Sequence, residues 1–355
     1  MPKISVIILN YNGQRHLQEL LGKCVESVLL TDYPNFEVLF IDNASTDSSV
    51  DIIKSRFGKD ERLKVIQNRK NLGFAEGNNV GLRIAQGEYI ALLNSDTKVD
   101  SCWLKTLVKA IEPSDVGAAQ SKLLLMSKPS LMDCAGGLVD YYGYHIEKGR
   151  GEAASHYTKN SEIFYGKGAS LILKREALKK AGLFDKDIFM YYDETDLCWR
   201  IRLAGYKVVF APASIVFHAS GLTTAKVYDQ KKLFFAQRNH LMIVIKNFEL
   251  NNMFKAVSVS IIYEIRNALL FILRRKTLAS LAILKALFWN LFNLRKTWKK
   301  RLDVQKSVRQ VSDETIKCIM LPPYPPFPLY LVFPRNRYFK NAKNLLNKKS
   351  VNNLD

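Results

Sequence analysis

Over the first hundred residues, short apolar runs alternate with longer stretches of helical periodicity. Residues 4–9, 37–42, 64–68 and 89–94 read as strands, and helical patterns cover 16–30, a segment starting near 47, and 75–86. Such strand–helix–strand alternation predicts an α/β fold, an open doubly wound parallel sheet with helices on both faces. The strands end in polar residues: Asn10-Tyr11-Asn12, Asp42-Asn43, Asn68 and Asn94-Ser95-Asp96. In open sheets of this kind ligands bind beyond the carboxyl ends of the strands, so these groups point to one edge as the site.

From about 116 to 217 the pattern is mixed, with β-like runs at 116–125, 168–174, 207–211 and 214–218 and a helix starting near Asp193. This stretch reads as the second half of the same domain, carrying the acceptor side. Beyond 251 the pattern changes again. Residues 253–273 and 277–298 are strongly apolar, but Glu264, Arg266 and Lys285 interrupt them, so neither gives the charge-free stretch a spanning helix needs. On a helical projection of the second segment, Lys285, Asn290, Asn293, Lys296, Thr297 and Lys300 gather on one side, and Leu281, Leu284, Leu287, Phe288, Leu291 and Leu294 on the other. A helix lying in a membrane interface has this pattern, and so does one packed on the catalytic domain. The Pro-rich run at 322–328 reads as a stiff connector. The expected division is a catalytic domain (1–245), an amphipathic helical region associated with a membrane (246–320) and a basic tail (321–355).

Charge sharpens that division. The formal net charge is +20, yet residues 1–250 hold 33 Lys+Arg against 28 Asp+Glu, while 251–355 hold 20 against 5. A basic C-terminal region suits an anionic membrane surface or a nucleic acid, and no nucleic-acid recognition module accompanies it. The five cysteines are scattered with no C-x-x-C pair, which argues against a disulfide framework or a zinc site. The first apolar run is too short for the core of a signal peptide, so we expect none and place the protein at the cytoplasmic face of the cell membrane.

Several residues could carry chemistry. Asp96, at a strand end, suits a hard divalent cation that keeps waters and phosphate oxygens. Asp42 could accept hydrogen bonds from a ribose or base, or simply close an Asx turn. In the run DETDLCWR, Asp193 suits an N-cap and Asp196 can pair with Arg200 one turn on, which leaves Glu194 as a candidate general base. His218 is either structural or a second metal ligand beside Asp96.

The order IxVIILNYN, FIDNASTDSS, NLGFAEGNN, LLNSD, GLFDKDIFMYYDETDLCWRIRLAGY and VFHASG resembles glycosyltransferase family 2, closest to its rhamnosyltransferase-like members, over roughly residues 3–240. The resemblance implies a GT-A fold with a Rossmann-like open mixed sheet, an inverting mechanism, and Mg²⁺ or Mn²⁺ assisting a nucleotide diphosphate leaving group. By position, Asn10, Tyr11, Asp42 and Asn71 would line the nucleoside pocket with Gly73, Phe74 and Asn78 nearby. Asn94, Ser95 and Asp96 would meet the nucleotide-sugar, Asp96 holding the cation with His218. The family's Asp-x-Asp motif stands here as Asn94-Ser95-Asp96, one negative charge fewer. Its Glu-Asp pair is inverted to Asp193-Glu194, so Glu194 takes the position of the base and Asp193 is its rival. The implied reaction moves a sugar, rhamnose from dTDP-rhamnose first, to a hydroxyl of a glycan or polyprenyl-linked glycan in cell-surface polysaccharide synthesis. A UDP-sugar such as galactofuranose, or a catalytically inactive glycan-binding scaffold at the membrane, are the alternatives.

Overall fold

A computed structural model describes residues 1–220 and 230–322. In chain order it contains β1 (Ile4–Asn10), α1 (Gly13–Leu17), α2 (Glu19–Leu29), β2 (Phe36–Asp42), α3 (Ser49–Phe57), β3 (Leu63–Gln67), α4 (Gly73–Ile84), β4 (Tyr89–Asn94), β5 (Thr97–Val99) and α5 (Trp103–Ile111). There follow β6 (Val116–Leu125), β7 (Met132–Cys134), β8 (Gly137–Val139), β9 (His145–Glu147), β10 (Ser161–Glu162), β11 (Ser170–Lys174), α6 (Arg175–Ala181), α7 (Asp193–Leu203) and β12 (Lys207–His218). The chain continues through α8 (Gln230–Asn247), α9 (Leu250–Leu273), α10 (Thr277–Phe292), α11 (Leu294–Asp303), a π-helical turn at Val304–Val308 and α12 (Asp313–Lys317).

The main sheet runs β10-β12-β6-β11-β4-β1-β2-β3, with β5 added to β12 and β7 to β6. β1, β2, β3 and β4 are parallel, whereas β11 is antiparallel to both β4 and β6. The sheet is therefore mixed, as the family resemblance implies, and the strands of the first hundred residues form its parallel part. The inverted strand arises because β11 does not return by a helical crossover. Alternate residues of the central strands feed opposite faces: Ile7, Leu39, Ile41, Ile90 and Leu92 join one core, and Val6, Ile8, Val38, Phe40, Ala91 and Leu93 the other. A sheet covered on both faces needs this near-continuous apolarity, which is why these strands read so clearly.

Two sequence expectations shift. The helix expected over 16–30 breaks at Gln18, whose φ of 51° separates α1 from α2. The two runs expected at 207–211 and 214–218 form the single strand β12, with an irregularity between Ala211 and Ile215.

The C-terminal helices pack on the sheet domain. The boundary expected between 245 and 246 falls inside α8, whose last half is buried. Lys246 is buried and bridges Asp185 (2.9 Å) and Asp196 (2.8 Å). Lys300 on α11 pairs with Asp185 and Asp187, and Lys296 with Asp187. The carbonyls that end α8 are satisfied from α11 and beyond: Arg301 donates to Ile245 O and Phe248 O, and Gln305 to Lys246 O and Asn247 O. Most of the expected tail, from 323, lies outside the described residues.

Candidate functional site

The parallel strands place their carboxyl ends at one edge, and the register fixes which ends are neighbours. Asn10 lies opposite Asp42, and Leu9 opposite Asn94. Asn10 Nδ2 donates to Asp42 Oδ1 (3.0 Å) and Ser45 Oγ (3.1 Å). Ser45 donates from its backbone N–H to Asp42 Oδ2 (3.0 Å) and from Oγ to Asp42 Oδ1 (2.5 Å), so the Asp42 carboxylate folds its own loop. Asn10 Oδ1 is buried with no hydrogen-bond partner among the described residues. A Cβ at position 13 would stand 2.1 Å from that oxygen, so only glycine fits there.

Asn71 and Asn78 hold the backbone. Asn71 Oδ1 accepts from Asn43 Nδ2 (3.0 Å) and from Gly73 N–H (2.9 Å), and Asn78 Nδ2 donates to Phe74 O (2.9 Å). Gly73 has φ of 77°, and a Cβ there would meet Phe189 O at 2.4 Å, so the start of α4 is pinned to the 184–192 loop. Tyr11 is about half exposed and presents its ring at the edge.

The 94–96 loop, the 168–169 loop and the start of α7 meet. Asn94 N–H donates to Ala169 O (3.3 Å), and Gly168 N–H donates to Glu194 Oε1 (2.9 Å). Gly168 is a place of close approach, since a Cβ would lie 2.6 Å from Phe74 Cζ and 2.8 Å from Glu194 Oε1. The three loops thus bring Phe74, Glu194 and the Asn94-Ser95-Asp96 turn into one neighbourhood. Asn94 and Ser95 are half-buried, and the Asn94 carbonyl accepts from Thr97 Oγ1 (2.7 Å).

Asp193 is not the N-cap of α7. That place belongs to Tyr192, and Asp193 is the first helical residue, its Oδ1 accepting from Glu194 N–H (3.1 Å). Burial, and next the charge of Glu194 beside it, push the Asp193 carboxyl well above the usual carboxylate range. Glu194 beside it is half-buried and is held by the Gly168 N–H. Asp196 pairs with Arg200 as expected, the guanidinium donating at 2.9 and 3.0 Å.

Behind this helix start sits a backbone conformation that sequence reading missed. Tyr191 and Tyr192 have φ of 67° and 65°, left-handed values that cost a bulky residue about 1–3 kcal/mol each. Fully buried Asn239 on α8 donates from Nδ2 to Met190 O (2.8 Å) and Tyr191 O (2.9 Å), and Arg238 donates to Asp187 O (2.7 Å). The C-terminal helices therefore hold the loop that delivers Glu194.

Asp96 and His218 come together. Asp96 O accepts from Ala219 N–H, and β5 pairs β12 so that Thr97 lies opposite His218. His218 Nε2 lies 3.2 Å from Asp96 Oδ1, and Nδ1 lies 2.8 Å from Asp133 Oδ2. Asp133 was not foreseen. It is fully buried on β7 and is paired with Arg150 (2.9 Å) and Lys167 (3.4 Å), 85 residues before His218 in the chain. Burial disfavours a charged imidazole, but the hydrogen bonds and charges of Asp133 and Asp96 outweigh it and hold His218 at about 9. Against its own burial, Asp133 is held well below the usual carboxylate range by His218 and Lys167.

This pair fits a small divalent cation. Two adjacent ligands with bonds of about 2.1 Å at right angles stand about 3 Å apart, close to the observed 3.2 Å. Asp133 on Nδ1 is placed as a carboxylate that would orient the histidine toward an ion. To hold an ion here His218 would have to give up its Nε2 proton, and phosphate and water would supply the remaining ligands. Among the described residues no group of three or more potential ligands occurs.

Residues 5–124 match the family described as Glycosyl transferase family 2, and residues 89–296, more than half of the chain, match Glycosyl transferase family group 2. Glycosyltransferase GlyG of Streptococcus pneumoniae serotype 4 is 34% identical over 112 residues, covering 32% of this chain and 36% of that protein. Poly-beta-1,6-N-acetyl-D-glucosamine synthase of Staphylococcus epidermidis is 24% identical over 247 residues, covering 68% of this chain and 55% of that protein. The matched stretches of the first curated relatives span 24% to 37% of those proteins' length. Among solved structures, GalNAc-T7 with UDP, GalNAc and Mn²⁺ superposes with a TM-score of 0.56 at 18% identity, over 69% of this chain and 48% of that one. A mannosyltransferase from Pyrobaculum calidifontis with GDP-Man and Mn²⁺ gives 0.52 at 17% identity, over 82% and 88%. These two show the fold.

Proposed function

The chain belongs to Glycosyl transferase family group 2, and from that premise we propose that it transfers a sugar with inversion from a nucleotide diphosphate donor to a glycan hydroxyl. The observation that carries the reading is the meeting of three loops at the sheet edge, where Gly168 N–H holds Glu194 Oε1 and Ala169 O holds Asn94 N–H.

Glu194 takes the proton from the acceptor hydroxyl as that oxygen attacks the anomeric carbon. The Gly168 N–H fixes one carboxylate oxygen and leaves the other for the incoming hydroxyl. Burial raises the carboxyl of Asp193 beside it, which eases the repulsion between the two acids. Asp96 and His218 would hold Mg²⁺ or Mn²⁺, which would supply neutralisation of the charge that develops on the departing diphosphate. Arg150 and Lys167, near His218 through Asp133, add positive potential on the same side. On the donor side, the exposed Tyr11 ring and Phe74 offer stacking surfaces for the nucleoside. Asn10, Asp42, Asn71, Gly73 and Asn78 shape the loops around it.

The donor we propose is dTDP-rhamnose, on the strength of the sequence resemblance, with UDP-galactofuranose as the alternative. The acceptor is a glycan carried on a polyprenyl lipid. This acceptor, like the donor, is proposed on the strength of the sequence resemblance. A donor panel tests the proposal, read as a thermal shift and as diphosphate release with Mg²⁺ or Mn²⁺. A donor at a hundred times its Kd stabilises by about 2.7 kcal/mol. Binding without turnover in the presence of lipid-linked acceptors would point instead to a glycan-binding scaffold.

A further inference from the structure

Helices α9 and α10 are packed with their large residues outward. On α9 the side facing the protein carries Met253, Ala256, Val259, Ser260, Tyr263, Glu264 and Ala268. Outward stand Phe254 (58% exposed), Ile262, Ile265, Leu269 (57%) and Ile272. On α10 the buried positions are small or polar, Ala279, Ser280, Ala282, Ala286 and Asn290, with Ile283 the exception. Leu278, Leu281, Phe288, Leu291 (63%) and Phe292 (81%) face out. Asn290, expected on the solvated side, instead donates to Arg238 O (3.0 Å). A helix of a water-soluble surface does the reverse, and apolar patches of this extent mark interaction sites.

Charge identifies the occupant. Between residues 251 and 302 the sole carboxylate is Glu264, which is buried. Exposed cations border the apolar face: Lys255, Arg274 and Arg275 along and after α9, Lys285 on α10, Arg295 and Lys299 on α11. An apolar face rimmed by these cations complements an anionic phospholipid bilayer, with half-exposed Glu249 and exposed Asp303 and Glu314 kept to the helix ends.

The mode of insertion also follows. α9 has 24 residues and a mean hydropathy of 1.7 over its most apolar stretch, enough by length and composition to cross a bilayer. The inner face of its first half, however, is fastened to the rest of the protein. Met253 and Ala256 join the main core, and Val259 and Tyr263 pack with Leu138, Tyr144, Ile146 and Leu321. Crossing the bilayer would drag those partners into hydrocarbon. α10 is likewise bound to α8, and the axis bends by 63° into α11.

We propose that α9 and α10 lie flat in one leaflet of an anionic bilayer, immersing the Phe254–Leu269–Leu291 face while the basic turn at 274–276 meets the headgroups. This docking stands independently of the sugar-transfer reading.

The test uses the full chain and vesicles of phosphatidylcholine with 30% phosphatidylglycerol. Co-sedimentation should fall at least about tenfold in Ile262→Asp/Leu269→Asp, since each side chain removed from lipid forfeits more than 1.4 kcal/mol of apolar burial. Both positions are exposed, so the variant should keep the wild-type circular dichroism and melting temperature. Pure phosphatidylcholine should bind more weakly. In Leu269→Trp, shallow brominated lipids should quench fluorescence more than deep ones, because an in-plane helix sits about 5–10 Å below the headgroups. Unchanged binding of the double variant, stronger quenching from deep bromines, or a dimer in solution that loses this face to a second copy would each overturn the proposal.

Discussion

Replacing Asn239 with alanine withdraws both N–H donors from Met190 O and Tyr191 O. Each buried hydrogen bond contributes about 0.5–1.5 kcal/mol net, and groups deprived of a donor lose more. The bonds also oppose relaxation of two left-handed tyrosines, each strained by about 1–3 kcal/mol. Release of that strain offsets part of the loss. We therefore expect only about 1–2 kcal/mol of global destabilisation, a fall in Tm of roughly 2–8 °C. The larger consequence is at Glu194, two residues beyond Tyr192. A carboxylate displaced by about 1 Å costs on the order of a hundredfold in rate. The assay pairs a thermal melt with steady-state transfer kinetics on the best donor. Donor affinity should hold while kcat falls at least about tenfold, and Asn239→Asp, which keeps the size but loses the amide donors, should behave as alanine does. A variant whose Tm falls while kcat is unchanged would refute the reasoning, because the loop would then be held without α8.

Other outcomes follow from the same contacts. Gly168→Ala should lower kcat with little change in Tm, because its Cβ would stand 2.8 Å from Glu194 Oε1; full activity would show that the carboxylate tolerates displacement. Lys246→Met leaves Asp185 and Asp196 without their shared buried cation and should destabilise by about 3–5 kcal/mol, read by denaturant unfolding. Burial opposes ionisation of Asp185, but the charges of Lys246 and Lys300 hold its carboxyl far below the ordinary 3.8. With the folded value depressed, its stabilisation is present above the unfolded value and lost as pH falls. Tm should hold between pH 8 and about 5 and drop below that, and a level profile down to pH 3.5 would contradict the assignment.

The strands were legible because both sheet faces are buried, so 4–9, 37–42 and 89–94 read as continuous apolar runs. The polar strand ends share one edge of the sheet for a related reason, register following from parallel pairing. Direction was harder to read, and β11 looks apolar whether parallel or antiparallel. Partners distant in sequence left no local signal. Asp133 sits in an unremarkable LMDCAGG run, yet it orients His218 from 85 positions away. Asn239 is one polar residue in a helix whose role is set by two carbonyls near 190. The inward side of α10 was left open because projection gives two faces but not which one the protein occupies. Its small residues, Ala279, Ala282 and Ala286, were the cue that close packing lay there.

On the proposed function, Glu194 takes the proton from the acceptor while the Asp96–His218 side serves the leaving diphosphate. The direct measurement is single-turnover sugar transfer by Glu194→Gln, with donor binding measured on the same preparation. Donor affinity should stay within about twofold and the transfer rate should fall by about 10²–10⁴. Transfer at the wild-type rate in Glu194→Gln, with Asp193→Asn the variant that fails, would contradict the claim.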